Sequence, residues 1–315
     1  MESTLMHNRV LISGGTGTIG KSLVPQLIKA GFQVILLTRK KTIQQDTDQC
    51  CYRHWNPNGE AMDASLLEGV HTIINLAGSG VMEKRWTSTF KAEILQSRVR
   101  AAEWLIDGLK KHNHQVRTWI NASAIGWYGP DRESKRPFME TDAPYSDFLG
   151  NTCVAWEKSC DAIESMGIRV AKLRIGIVLS AHGGAFAEFV KPLRFRIAPI
   201  LGTGQQTISW IHAQDLCGII LHLMQQEKLN GIFNAVAPNP TTNRDLMLTL
   251  ANMLHGKVFI PIRVPAFVLK IMLGESSIEI LKSTTVSADK ILKSGFEFQF
   301  PKLESAIPSL INPSS

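Results

Sequence analysis

A glycine-rich turn near the start of the chain constrains the fold most. Gly14, Gly17 and Gly20 stand three residues apart, after an apolar strand pattern at Arg9–Ser13 and before a helical pattern that runs to Ala30. Glycine lets the backbone turn tightly and lets a pyrophosphate approach, and the helix N-terminus then offers free N–H groups. The spacing alone is weak, but a strand–turn–helix context favours a dinucleotide site over an ordinary tight turn.

Further apolar strand patterns alternate with helical ones along the next 160 residues. Continuous apolar strands suit a parallel sheet that is covered on both faces. We therefore predict an α/β fold, a doubly wound parallel Rossmann sheet over residues 1–239, with a smaller, mostly helical substrate-side domain over residues 240–315. The predicted strands are Gln33–Thr38, His71–Leu76, Arg117–Ala122 and Arg169–Leu173, and the predicted helices include Lys91–Lys111, Asn243–Leu254 and Pro265–Leu273.

Composition excludes several classes of protein. Hydrophobic residues make up 44% of the 315 residues, and the 34 Lys and Arg exceed the 27 Asp and Glu by only seven. With no Lys/Arg stripe and no apolar run of membrane-spanning length, we expect neither a nucleic-acid nor a membrane partner. The five cysteines are odd in number and form no CxxC, which favours a reducing compartment and a cytoplasmic location.

The segment after the second predicted strand bears on the choice of cofactor. An acidic residue about 20 positions beyond the glycines would accept the ribose hydroxyl of NAD. Here Thr38 is followed by Arg39, Lys40 and Lys41. Cations pair with a 2′-phosphate, so the sequence predicts NADP(H), the alternative being that these residues form a solvated loop.

Several longer motifs resemble one family over nearly the whole chain. The chain is similar to the epimerase family proteins of the atypical or extended branch of the short-chain dehydrogenase/reductase superfamily, related to nucleotide-sugar epimerases. Residues 241–310 resemble that family's C-terminal domain of unassigned function. The motifs that carry the likeness are NLAG at 75–78, KRWT at 84–87, SRV at 97–99, SAIGWYG at 123–129, DFLGNTCVAWE at 147–157, LRIGIVLSAHGGA at 173–185, LGTGQQTISWIHAQDL at 201–216, LGE at 273–275 and GFEFQFPKL at 295–303.

The resemblance implies an NADP(H)-binding Rossmann domain, a small-molecule substrate and a possible homodimer. The dimer would form through the helices at 90–111 and 147–166. By position, the implied cofactor-binding residues are Gly14, Thr16, Gly17, Thr18, Ile19, Thr38, Arg39, Lys40, Leu76, Ala77, Gly78, Glu93, Arg98 and Val178. For Glu93 and Arg98, an ordinary solvated helix face is the alternative.

The chain departs from the superfamily at its acid/base pair. Superfamily enzymes use a Tyr with a Lys four residues later, and none of the three tyrosines here, Tyr52, Tyr128 and Tyr145, is followed by a lysine at that spacing. In the segment that matches the family's helix, Leu149 or Phe148 stands at the Tyr position and Cys153 at the Lys position. A helix cysteine among apolar neighbours is more often an inert small hydrophobe than a thiolate.

Three other side chains are candidates to replace the missing pair. Ser123 and Tyr128 lie at the end of a strand that should border the nicotinamide. His212 is a candidate acid or base because a histidine ordinarily titrates near pH 7, and a structural role at its turn is the alternative. No metal site is predicted. Two hypotheses remain: an NADP(H)-dependent oxidoreductase or epimerase-like enzyme that works by hydride transfer, and a non-catalytic NADP(H)-sensing regulatory protein.

Overall fold

A computed structural model describes residues 9–40, 45–134 and 136–312 of the chain. Its strands are β1 Arg9–Ser13, β2 Gln33–Thr38, β3 Cys50–His54, β4 Val70–Asn75, β5 Thr118–Ala124, β6 Arg169–Ile175, β7 Ile177–Leu179, β8 Ile197–Leu201, β9 Thr207–Ile208, β10 Trp210–His212, β11 Gly231–Ala235, β12 Thr241–Thr242 and β13 Ile260–Val264. Its α-helices are α1 Thr18–Lys29, α2 Ser88–Lys111, α3 Phe148–Lys158, α4 Asp161–Glu164, α5 Ala185–Leu193, α6 Ala213–Gln225, α7 Asn243–His255, α8 Ala266–Leu273, α9 Ser277–Leu281, α10 Asp289–Lys293 and α11 Leu303–Ile311.

Seven strands form one parallel sheet in the order β11-β6-β5-β4-β1-β2-β3. The chain builds outward from β1 in one direction through β2 and β3, then returns to the other side of β1 with β4. In such a sheet the ligand crevice lies outside the carboxyl ends of the strands, where the order reverses. Here that point is the gap between β1 and β4, and the predicted doubly wound Rossmann sheet is confirmed.

The strands were predicted well where they are apolar and buried on both faces. All of β2 except Gln33 is buried, and its bounds agree with the prediction, as do those of β1. The predicted strands at 71–76, 117–122 and 169–173 each correspond to β4, β5 and β6 with shifts of one or two residues. Strand β3 was not predicted, because its sequence Cys-Cys-Tyr-Arg-His is not apolar and it occupies the sheet edge.

The C-terminal region is mostly helical, as predicted, and packs its own cluster of buried residues. Leu246, Leu250 and Ala251 of α7 and Ile307 and Leu310 of α11 belong to this cluster. The helix predicted over 243–254 is α7, and the one predicted over 265–273 is α8. The domain boundary near residue 239 stays a prediction.

A short segment, residues 283–287, ties this C-terminal region back to the sheet body. The carboxylate of Asp131 accepts hydrogen bonds from the backbone N–H of Thr285 (2.6 Å) and from its hydroxyl (2.7 Å). Backbone bonds link Phe138 to Thr285 and to Ser287, and the N–H of Val286 donates to Ser209 Oγ at 2.9 Å. These bonds reach residues about 80 to 150 positions earlier in the chain.

Across the described residues, no helix is both long and apolar enough to cross a membrane.

Candidate functional site

A cavity of about 830 Å³ opens at the carboxyl ends of β1, β2 and β4, at the reversal point of the sheet. Eleven of the fourteen predicted cofactor-binding residues line it. These are Gly14, Thr16, Gly17, Thr18, Ile19, Thr38, Arg39, Leu76, Ala77, Gly78 and Glu93. The cavity is therefore the place where the sequence-predicted residues converge.

The glycine turn brings two strand ends together beneath this cavity. Gly14 has φ +72°, and a Cβ placed there would lie 2.6 Å from the carbonyl carbon of Leu76 and 2.7 Å from the nitrogen of Ala77. Only a glycine fits so close to the turn after β4. The N–H of Gly17 closes the turn by donating to the carbonyl of Gly14 at 3.0 Å.

Helix α1 begins with its N-terminal amide groups facing the cavity. Its N-cap is Gly17, so no side chain accepts a hydrogen bond from the first turn, and the first turn contains no acidic residue. Gly17, Thr18 and Ile19 all line the cavity. An uncapped helix N-terminus with its partial positive charge favours an anion such as a diphosphate.

Cations lie at the end of the cavity beside β2. Arg39 lines the cavity and is exposed, and the N–H of Lys40 donates to Thr38 Oγ1 at 3.2 Å, although Lys40 lies outside the lining. Lys41 lies outside the described residues. The structure adds a second cation that sequence reasoning missed, because Arg100 of α2 also lines the cavity and donates to Asn58 Oδ1 at 2.8 Å.

One face of α2 forms a wall of the cavity. The lining residues follow helical spacing: Thr89, Ala92, Glu93, Gln96, Ser97 and Arg100. Of these, only Glu93 was predicted, but the spacing of three and four residues from Glu93 is the signal that would have found the rest. Ser79 connects the wall to the turn after β4, since its N–H donates to Ser97 Oγ (3.0 Å) and its hydroxyl to Glu93 Oε1 (3.2 Å).

Arg98 lies behind this wall and touches the turn after β4. A Cβ at Gly78 would lie 3.0 Å from Arg98 Cζ, and Arg98 Nη1 donates to the carbonyls of Ser79 (3.0 Å) and Ile94 (2.8 Å). The guanidinium also stands 4.8 Å from the ring centroid of Trp156. Within the described ranges no carboxylate lies within 4.0 Å of it, and burial lowers the pKa of Arg98. Such a cation is stabilised by an anionic or hydroxyl-bearing ligand.

Val178 lies elsewhere. It belongs to β7, where it pairs with Ile211 of β10, and it is not part of the cavity lining. The cavity lining therefore does not support the implied contact of Val178 with the cofactor, which stays a prediction.

Three buried polar residues tie together the strand ends under the cavity. Ser13 of β1 donates to Asn75 Oδ1 of β4 at 2.6 Å, and Asn75 Nδ2 donates to Asn121 Oδ1 of β5 at 2.8 Å. All three side chains are fully buried. Because a buried polar group costs free energy unless it is paired, this chain of bonds fixes the relative heights of the three strand ends.

Ser123 and Tyr128 are brought together, but inside a closed polar network rather than in the cavity lining. Ser123 donates to Glu157 Oε1 at 2.7 Å, and Tyr128 donates to Asn234 Oδ1 at 2.6 Å. Arg174, which is 1% exposed, links the two: its Nε and Nη2 bind the two oxygens of Glu157 (2.9 and 3.1 Å), and its Nη1 donates to the Tyr128 hydroxyl at 3.0 Å.

In this network neither hydroxyl lines the cavity, so the expected contact of Ser123 and Tyr128 with a substrate stays a prediction. Both side chains are 2% exposed, and each hydroxyl is hydrogen-bonded to buried side chains. Burial raises the pKa of Tyr128 to about 12, so the hydroxyl stays protonated at physiological pH. The network, which we call the Arg174 network, holds β5, β6 and α3 together.

His212 has a structural position as well. It is 3% exposed and caps α6, with Nδ1 accepting from the N–H of Gln214 at 3.1 Å and Nε2 lying 3.1 Å from Ser309 Oγ. Burial lowers the pKa of His212 to about 4, so the imidazole is neutral at pH 7. Both ring nitrogens are engaged by the fold, which supports the structural alternative over the acid/base role.

Cys153 stands in α3 at the position where the superfamily has its lysine. Its Sγ lies 3.6 Å from the carbonyl oxygen of Ala124, and burial raises the pKa of Cys153 to about 12. Cys153 is therefore a buried, protonated thiol that packs in the interior, as predicted. The positive charge near this position comes from Arg98 and not from a lysine. Among the residues that the structure describes, no group of His, Cys, Asp or Glu could hold a metal ion.

Comparisons with known proteins identify the family of this chain. Residues 10–235 match the sequence model of the NAD dependent epimerase/dehydratase family, and residues 264–310 match a domain of unknown function, DUF1731. An epimerase family protein of Staphylococcus aureus is 34% identical over 301 residues, which cover 96% of this chain and 98% of that protein.

Solved structures share the fold. The human epimerase family protein SDR39U1 (isoform 2), crystallised with NADPH, has a TM-score of 0.81 and 28% identity, covering 96% of this chain and 98% of its own. A nucleoside-diphosphate sugar epimerase of Corynebacterium glutamicum has a TM-score of 0.74 and 27% identity, over 96% of this chain and 57% of that chain. Since the family model and the bacterial relatives both extend over most of its length, the chain belongs to the NAD dependent epimerase/dehydratase family.

Proposed function

We propose that this protein binds NADP(H) in the cavity between β1 and β4 and transfers hydride between the nicotinamide and a small organic substrate. The observation that carries the proposal is the uncapped N-terminus of α1 at the glycine turn, with Arg39 at the adjoining end of β2. The human relative solved with NADPH and the family's NAD-dependent description support a nicotinamide cofactor.

Each wall of the cavity then has a part in binding. The free amides at Thr18 and Ile19 hold the diphosphate, and Arg39 pairs with the 2′-phosphate, with Arg100 adding positive charge nearby. Trp55 and Pro57 offer an apolar surface suited to the adenine ring. No acidic residue follows β2 over residues 39–41 to repel a phosphate or to accept the 2′-hydroxyl of NAD.

At the other end, the bound cofactor supplies the hydride chemistry of its nicotinamide. Arg98 is the cation closest to the turn at Gly78, and its charge is not neutralised by a carboxylate in the described part of the chain. We assign it the task of positioning the Gly78–Ser79 turn, whose backbone lines the cavity, through its bond to the Ser79 carbonyl. Arg98 lies beside Cys153, where the superfamily's lysine is missing.

The Arg174 network favours a second candidate function. With Ser123 and Tyr128 committed to buried partners, the protein retains its cofactor cavity without the usual proton donor. This arrangement suits a non-catalytic NADP(H) sensor, which needs binding but no proton transfer.

Thermal unfolding with NADPH, NADP+, NADH and NAD+ in parallel tests the binding proposal. A ligand at 100 times its Kd adds about 2.7 kcal/mol of stability. We expect the melting temperature to rise with NADPH and NADP+ only, and Arg39→Asp to remove that preference because it replaces attraction for the 2′-phosphate with repulsion. Lys228→Asp, an equal charge change at an exposed position far from the lining, is the control and should keep the preference.

No rise with any of the four nucleotides would overturn the proposal, and an equal rise with NADH and NADPH would refute the NADP(H) preference. The two candidate functions separate in the next measurement. Oxidation of NADPH in the presence of carbonyl compounds or nucleotide sugars supports the enzyme. A large difference in affinity between NADPH and NADP+, without turnover of any acceptor, supports the sensor.

A further inference from the structure

The small parallel ribbon of β8 and β13 turns an apolar face to the outside. Ala198 and Ile200 of β8 are buried in the C-terminal cluster. Because side chains alternate along a strand, the residues between them point away from that cluster. A solvated sheet face is normally polar. Here all six outward residues are apolar: Ile197, Pro199 and Leu201, paired in register with Ile260, Ile262 and Val264. Ile260 and Ile262 are exposed, and the other four are half-buried.

Exposed apolar side chains continue from the ribbon into its neighbours. On α8, which begins two residues after β13, Phe267 is 64% exposed and Ile271, one turn later on the same face, is 70% exposed, while Leu269 is buried. Phe195, 79% exposed, stands in the turn just before β8, where the carbonyl of Arg196 accepts from the N–H of Ile260 at 2.8 Å. We call these elements together the ribbon–helix surface.

The charges on this surface have one sign. Residues 192–204 and 256–273, which contain the ribbon, the turn and α8, include no Asp or Glu. They include five cations: Arg194, Arg196, Lys257, Arg263 and Lys270. Arg263 lies in register with the buried Ile200 and donates to the carbonyls of Gly202 and Thr203, so the other four are the cations of the outward side. Over the whole chain acidic residues are nearly as numerous as basic ones, 27 against 34, so this surface holds most of the excess positive charge.

The charge decides between possible occupants. Two copies of the chain meeting through this surface would bring like charges together without compensating carboxylates, which opposes a face-to-face dimer. An anionic surface, by contrast, is complementary. Exposed Phe and Ile side chains interspersed with Arg and Lys are the composition with which proteins lie on an anionic bilayer.

We propose that the ribbon–helix surface docks the protein on a bilayer that contains anionic phospholipids. Phe195, Phe267 and Ile271 enter the boundary between headgroups and acyl chains, and Arg194, Arg196, Lys257 and Lys270 face the phosphate groups. The protein would lie on the membrane and not cross it. The expectation of no membrane partner came from the lack of a spanning segment, which says nothing about surface binding.

Co-sedimentation of the full chain with vesicles tests this proposal directly. We expect binding to vesicles of phosphatidylcholine with about a third phosphatidylglycerol, and no binding to phosphatidylcholine alone, with release at high salt because the attraction is screened. The double variant Phe267→Ser/Ile271→Ser should weaken binding about tenfold or more, because it removes the apolar anchors. Both positions are exposed, so its melting temperature should stay unchanged.

A charge variant with a matched control completes the experiment. Lys257→Glu/Lys270→Glu should abolish binding, whereas Lys110→Glu/Lys111→Glu makes the same net change at the exposed end of α2 and should lower binding only slightly. Absence of binding to the anionic vesicles, or equal loss in both charge variants, would overturn the proposal. So would a dimer in sedimentation velocity that Phe267→Ser dissociates, since the surface would then be an interface between copies.

Discussion

The cofactor cavity and the Arg174 network contain similar polar residues but differ in whether those residues already have partners. In the cavity, the first turn of α1 has no capping side chain, and Arg39 makes no ion pair with any described residue. In the network, the Arg174 guanidinium, the Glu157 carboxylate and the Tyr128 hydroxyl bind one another. The difference lies in unused hydrogen-bonding capacity, which the fold leaves available at the cavity and takes up within the Arg174 network.

Breaking the network should have the largest effect. Arg174→Met leaves the buried carboxylate of Glu157 without its bidentate partner, and removing one member of a buried pair costs about 3–5 kcal/mol. Urea unfolding measures this loss. Lys191→Met is the control, since its pair with Glu188 is exposed on both sides and should change the free energy of unfolding by less than about 1 kcal/mol. Equal losses in the two variants would mean that the network is not the stabilising element described here.

Adding a side chain to the glycine turn should disturb the cavity and not the Arg174 network. Gly14→Ala forces a residue with a side chain into φ +72°, which costs about 1–2 kcal/mol, and presses its Cβ against the backbone of Leu76 and Ala77, which costs about 1–3 kcal/mol more. Gly31→Ala shares the positive φ (+87°) but has no atom within 4 Å of the new Cβ, so it should show only the first cost. Calorimetry and NADPH titration of both variants check this, and only Gly14→Ala should lose nucleotide binding. Retention of full NADPH affinity in Gly14→Ala would contradict the assigned role of the turn.

Removing a single network hydroxyl should have the smallest effect and the sharpest interpretation. Tyr128→Phe deletes the bond to Asn234 and the bond from Arg174, at a cost of about 1–2 kcal/mol in the free energy of unfolding. Affinity for NADPH and any turnover should change by less than about twofold, because the hydroxyl does not reach the cavity. A loss of turnover of 100-fold or more at unchanged stability would restore Tyr128 as a catalytic residue.

The parts of this protein that were predictable from sequence depend on local signals. The β1–α1–β2 unit was predicted with nearly its observed bounds, because apolar runs and glycine spacing are read from neighbouring residues. The same unit contributes to the cavity seven residues that were named in advance: Gly14, Thr16, Gly17, Thr18, Ile19, Thr38 and Arg39.

The remainder depends on pairings that sequence spacing does not show. Tyr128 meets Asn234 across 106 positions and Arg174 across 46, and those partners are what take its hydroxyl out of use. Asn58 bonds to Arg100 from a separate loop, 42 positions earlier in the chain, and no local pattern marks it as a cavity residue. Long-range contacts of this kind decide which polar side chains remain available.

The segment at 283–287 also sets an order of events during protein synthesis. The sheet strands up to β11 leave the ribosome first, but Asp131 bonds to Thr285, Ser209 to Val286 and Asn234 to Ser287, all of which are synthesised later. Until those residues emerge, these polar groups of the sheet body lack the hydrogen bonds that the later segment provides. A nascent chain halted near residue 240 would therefore contain every residue of the cavity lining but lack the hydrogen bonds that residues 283–287 add to the sheet body.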